Sequence, residues 1–186
     1  MTSLYYTDIG GCMRMRMKAW LVPILAVAAM CLGTTLAAQD KDEEGSPAAA
    51  AKAALSARVS LARGLAATAS QGRPISAKFE MDEGKLELSV YTMKGGKFFE
   101  VNVDPTSGAV VKTEPIGDGE DYTAAQSQSA AMATAKVSLR AAVQNALRAN
   151  AGYRAVSVTP ALKDGHAVAE VALAKGEELK TVSVPL

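Results

Sequence analysis

The chain has 186 residues, of which 49% are hydrophobic and 21% charged, a globular rather than a disordered balance. Only 5% is aromatic and alanine makes up much of the apolar share, so any core is built from small side chains. The formal net charge of +1 comprises +2 from residues 1–37 (Arg14, Arg16 and Lys18 against Asp8) and therefore −1 from the rest; so neutral a body argues against nucleic acid.

Residues 13–18 read M-R-M-R-M-K and residues 20–33 are apolar apart from one proline. A basic stretch followed by an apolar run of that length predicts a secretion signal. Small residues around Ala37 and Ala38 give the cleavage pattern, so residues 1–38 are expected to be a signal peptide, with residues 39–47 as a polar tail. An uncleaved anchor, or a lipoprotein attached through Cys31, are the alternatives. Cys12 and Cys31 both fall in the leader, so the processed chain would have no disulfide, thiol nucleophile or cysteine metal ligand. The expected location is periplasmic or secreted, with membrane attachment only through the leader.

Ser46-Pro47 supplies an N-cap and a proline at the first helical position. Alanine then dominates residues 48–70, with Leu55, Val59, Ala62 and Ala66 at helical spacing, which predicts one helix ended by Gln71-Gly72. Beyond it the period becomes two. Ile75, Ala77, Phe79 and Met81 alternate with polar residues, as do Leu86, Leu88 and Val90 after the turn at Asp82-Glu83-Gly84. Phe99, Val101 and Val103 form a third strand after Lys94-Gly95-Gly96, and a short extended run follows over residues 109–113. The segment 114–128 mixes proline, glycine, acids and small polar residues and is expected to be a linker.

The pattern then starts again. A second alanine-rich helix is predicted over residues 129–149, with Met132, Leu139, Val143 and Leu147 on one face, followed by strands at residues 154–159, 167–173 and 179–184. Ala57-Arg58-Val59-Ser60-Leu61 matches Ala135-Lys136-Val137-Ser138-Leu139, and Asp82-Glu83-Gly84 falls opposite Lys163-Asp164-Gly165. Two copies of one unit is the simplest account. The predicted fold is α+β: two tandem modules, residues 48–113 and 129–186, each with one helix on a three-stranded antiparallel sheet. The second copy stops opposite Asp104-Pro105, which leaves its last strand less protected than the first copy's and makes it the expected partner contact.

Residues 97–111, K-F-F-E-V-N-V-D-P-T-S-G-A-V-V, together with the preceding helix and strands, resemble the PepSY domain. In that family an aromatic residue, alternating valines and a D-x-x-T/S-G turn close the sheet, and Phe98 or Phe99, Val101, Val103, Asp104, Ser107 and Gly108 occupy those places here. The second copy matches only through the internal repeat. The resemblance implies a cell-envelope or secreted setting, and a protease-regulating role has been proposed for the family's domains in protease propeptides. It brings no catalytic residues.

The chemistry-bearing residues support the same reading. His166, the single histidine, follows a hairpin turn on a polar face with no cysteine or second histidine to complete a metal site. Asp40, Asp42, Glu43 and Glu44 lack the alternating ligands of a calcium loop. Asp104, before proline and four residues from a glycine, is what a turn requires. Lys94-Gly95-Gly96-Lys97 is too short to cradle phosphate and joins two strands. No catalytic, metal or cofactor-binding residue is therefore assigned. The expected function is a non-enzymatic binding or regulatory protein whose partner is a protein, with an extracytoplasmic protease as the class the resemblance implies; the alternative is a structural envelope protein assembling through its paired modules.

Overall fold

The computed structural model describes residues 46–186; the leader and most of the polar tail, including Asp40, Asp42, Glu43 and Glu44, lie outside them. Eleven elements follow in order: α1 (Pro47–Ala54), α2 (Leu61–Ala67), β1 (Arg73–Asp82), β2 (Lys85–Lys94), β3 (Lys97–Val103), β4 (Val110–Ile116), α3 (Gly119–Thr134), α4 (Leu139–Ala149), β5 (Arg154–Lys163), β6 (His166–Lys175) and β7 (Glu178–Pro185). The α+β class holds. The partition into two three-stranded sheets does not, because all seven strands form one antiparallel sheet in the order β4-β3-β2-β1-β5-β6-β7.

The joint is the pairing of β1 with β5, at Ala77↔Val158 and Lys78↔Ser157. Neither strand is left as a free edge, and Ala77 and Val158 are 1% and 0% exposed in one continuous core. Two separate three-stranded units would each have exposed an apolar margin there, at about 25 cal/mol for every Å² left in water.

Each predicted helix is two. The first breaks between Ala54 and Leu61, the second between Thr134 and Leu139. In both cases a serine restarts the chain: the Ser60 hydroxyl accepts from the Arg63 N–H (3.3 Å) and that of Ser138 from the Ala141 N–H (3.2 Å). The matched pentapeptides Ala57 to Leu61 and Ala135 to Leu139 thus mark the breaks. The serine at Ser46 caps α1 in the same way, at 3.1 Å from the Ala49 N–H. Residues 114–128 are not a linker either. They carry the end of β4 and the first half of α3, whose first turn donates Glu120 and Asp121 to the helix's positive end.

The hairpin turns follow the sequence closely. Glu83-Gly84 and Asp164-Gly165 both take positive φ at both positions (49° and 73°; 50° and 78°), the geometry whose twist matches flanking antiparallel strands. In β1 the register shifts between Pro74 and Ser76, and in β5 between Ala155 and Ser157, so Ile75 and Val156 are the inserted residues, both buried. The helix α2 lies on the face bearing Leu88, so close that a Cβ at Gly64 would overlap that side chain, and α4 packs beside α2.

Two arginines tie the halves together. The Arg154 guanidinium, at the start of β5, donates to the carbonyls of Ala57 (2.7 Å) and Val59 (2.6 Å) in the break between α1 and α2. Arg73, at the start of β1, donates to the Met132 carbonyl near the end of α3. Each half therefore satisfies backbone acceptors exposed by the other half's helix break. Burial lowers the Arg154 pKa, yet the guanidinium stays charged and its bonds are charge-assisted.

Replacing Arg154 with leucine removes both bonds and leaves two carbonyls without their donor, so it should cost about 2–3 kcal/mol in urea unfolding. A cost below about 0.5 kcal/mol would show that water replaces the guanidinium without penalty.

Candidate functional site

Of the described residues weighed for chemistry, His166, Asp104 and Lys94 to Lys97 lie at separate turns of the sheet. His166 is exposed at the start of β6, opposite Lys163 in register. Among the described residues no group of three or more histidines, cysteines, aspartates and glutamates could hold a metal ion. Lys94-Gly95-Gly96-Lys97 is the hairpin between β2 and β3, with Lys94 opposite Lys97 and both glycines at positive φ.

Asp104 closes the β3–β4 turn. Its Oδ1 accepts from the N–H of Ser107 (2.6 Å) and of Thr106 (3.1 Å) and from the Ser107 hydroxyl (2.8 Å), while Gly108 at φ 80° donates back to the Asp104 carbonyl (2.9 Å). The turn also anchors α2, since the Val59 N–H donates to the Pro105 carbonyl at 2.9 Å. Hydrogen bonds from the Ser107 amide and hydroxyl hold the Asp104 carboxyl below its ordinary 3.8.

On the face opposite α2, polar side chains pair with one another. Ser89 donates to Glu100 (2.7 Å), Asn102 to Glu87 (2.6 Å), and Lys78 bridges Glu80 (2.6 Å). These carboxylates are acceptors in a sheet-surface network. A cleft of about 550 Å³ opens between α2, the α3–α4 junction and the start of β1, with Arg73, Lys136 and Arg140 as its charged lining. It holds no acid, and its one hydroxyl, that of Ser138, is engaged in capping α4.

Besides the buried side-chain atoms Ser76 Oγ, Thr92 Oγ1 and Gln128 Oε1, which have no hydrogen-bond partner among the described residues, backbone groups are unsatisfied at the margins of the sheet. Among the described residues the sheet ends at β4 and β7. The outer strand β4 is interrupted: its register shifts against β3 between Asn102 and Val103, Val111 stands out 64% exposed at that shift, and Pro115 has no N–H to offer. By contrast β7 keeps an unbroken register with β6 from Lys175↔Glu178 to Val168↔Pro185. The Leu186 N–H donates to the Ala167 carbonyl at 3.0 Å, which sets the phase. Groups aimed at the neighbouring strand recur every second residue, so Val184, Val182 and Lys180 point their N–H and C=O at β6, while Leu179, Thr181 and Ser183 point theirs away from the sheet. Pro185 takes the next outward position and stops the row.

The side chains around this edge are ordered. On one face Val182 and Val184 are half-buried against the core, and α4, which packs on β7, adds the half-buried Leu147. At the β6–β7 hairpin Lys180 sits 3.9 Å from the centroid of the Tyr153 ring and Lys175 5.6 Å, and the Tyr153 hydroxyl bonds to Glu178. That bond to a carboxylate raises the Tyr153 pKa, with burial and the negative charge of Glu178 adding to it.

No family model and no curated protein matches the chain. Among solved structures it is similar to a candidate lipoprotein from Clostridium difficile 630, with 15% identity, a TM-score of 0.35, and coverage of 63% of this chain and 78% of that one. A likeness of that size assigns no family.

The Asp104 turn gives a pH test. Its folded-state pKa is depressed, so its stabilisation is present above the unfolded value of about 3.8 and is lost as pH falls through the lower folded value. Asp104→Ala should therefore lower the urea midpoint at pH 7 and approach wild type below pH 3, whereas His166→Ala should leave it unchanged at pH 7; equal Asp104→Ala deficits at both pH values would contradict the carboxylate's role.

Proposed function

We propose that this chain is an exported, non-enzymatic binding protein that docks on a protein partner, and that the partner class is an extracytoplasmic protease. The leader pattern of residues 1–38 supports export, and the resemblance of residues 97–111 to PepSY domains supports the partner class. The two halves, each running helix, helix, meander, are read as copies of one unit. The observation that carries the reading is the outer edge of β7, where Leu179, Thr181 and Ser183 direct backbone donors and acceptors away from a strand of regular register. An edge of that kind is satisfied when an extended segment of another chain adds to the sheet.

Thr181→Pro is the discriminating variant, because it removes an outward donor and no ladder bond within the sheet. Capture from envelope extract should yield one stable partner with protease activity for the wild-type chain and none for the variant, with both chains giving matching circular dichroism. Undiminished capture by the variant would place docking elsewhere, and a multimer without partner would favour a structural envelope role.

A further inference from the structure

We infer that the β7 edge selects an antiparallel extended segment with apolar residues at two alternate positions and an acidic residue two positions further toward its C-terminus. The inference rests on the reading of β7 as the docking edge and adds the chemistry of what it takes.

Backbone pairing alone is indifferent to sequence, so selection falls to the side chains lying directly opposite and on the same face, each pair worth about 0.2–1 kcal/mol. On the face shared with Val182 and Val184, the edge offers two half-buried valines and then Lys180. An added strand extends that face outward, and apolar residues opposite the valines would shield them from water. Opposite Lys180 the demand is electrostatic. Lys175 and Lys180 both lie over Tyr153, whose hydroxyl bonds Glu178, and with Glu177 in the hairpin turn the charges at this end of the strand balance; Lys180 is the charged side chain on the face of Val182 and Val184, directly opposite the added strand. The aromatic ring holds the Lys180 ammonium in place while leaving it other hydrogen-bond donors.

The same geometry opposes a second copy of this chain as the occupant. Self-pairing that uses all three outward residues is symmetric about Thr181, and it sets Lys180 beside Val182 of the other copy with the two Lys180 side chains on one diagonal. Lysine in that place guards an edge against its own kind and admits an acidic strand. Direction follows as well: a strand antiparallel to β7 brings its C-terminal part to the Glu178–Lys180 end, so the acid comes after the apolar pair. On the other face, Leu179 is 46% exposed and flanks Thr181 and Ser183, which suits an apolar residue following the acid and small polar residues before it.

The probe is a fluorescein-labelled peptide carrying Val-Thr-Val-Thr-Glu-Leu between glycines, titrated into the purified full chain by anisotropy, beside versions with lysine in place of glutamate and with backbone N-methylation at alternate residues. The expected result is saturable binding, weakened about fivefold by the lysine peptide and abolished by N-methylation. Lys180→Glu should reverse the charge preference, with its melting curve confirming an intact fold. Equal binding of the two charge forms, or a preference unchanged in Lys180→Glu, would overturn the inference while leaving docking at β7 standing if capture of the partner still fails in Thr181→Pro. Peptide binding that survives Thr181→Pro together with undiminished partner capture would overturn both.

Discussion

The pairing of β1 with β5 is the constraint on which the rest of the structure depends. Only Ala77↔Val158 and Lys78↔Ser157 are paired there, yet this short seam converts two meanders into one sheet with one core. With the seam closed, α2 and α4 come side by side on a common face, and the helix breaks come within reach of Arg154 and Arg73. The arginines reinforce the seam from both ends by donating to carbonyls that an interrupted helix leaves unpaired. Units of this size have little core of their own, so sharing one is the economical solution.

The seam also determines where function can reside. By consuming the inner edges it leaves β4 and β7 as the margins of the sheet among the described residues. The first is blunted by a register shift and Pro115, the second is regular and presents three outward backbone positions. Several polar groups elsewhere are engaged within the fold: Asp104 in its turn, Glu87 and Glu100 on the sheet surface, the three serines at helix starts. Among the described residues β7 is the margin with a regular row of outward backbone groups, and the proposed docking rests on that row.

Most strands and turns were legible because period-two alternation and turn residues such as Asp164-Gly165 encode them locally. The helix breaks were not, since alanine on both sides of Ser60 and Ser138 keeps the helical pattern running; the serine repeated in both pentapeptides was the signal available. Helix α3 was hidden by its own composition, with polar residues and small alanines over its first half and little apolar contrast. The β1–β5 seam lies beyond any local pattern, because both strands read alike whether an edge or a neighbour lies beside them. A hint existed in the arginines, as Arg73 precedes Asp82-Glu83-Gly84 by the same spacing as Arg154 precedes Lys163-Asp164-Gly165. The phase of the β7 backbone and its contrast with β4 lie beyond the local pattern as well, because they depend on which neighbour each strand pairs with.

Native-state amide hydrogen exchange at the seam tests the central claim most directly. If the two halves share one core, the slowest-exchanging amides among Ala77, Lys78, Ser157 and Val158 should exchange only through global unfolding, at the same free energy as Val90 and Val171 in the two meanders. Seam amides that all exchange through a cheaper opening, while Val90 and Val171 stay protected, would show two independent modules in contact and would contradict the account.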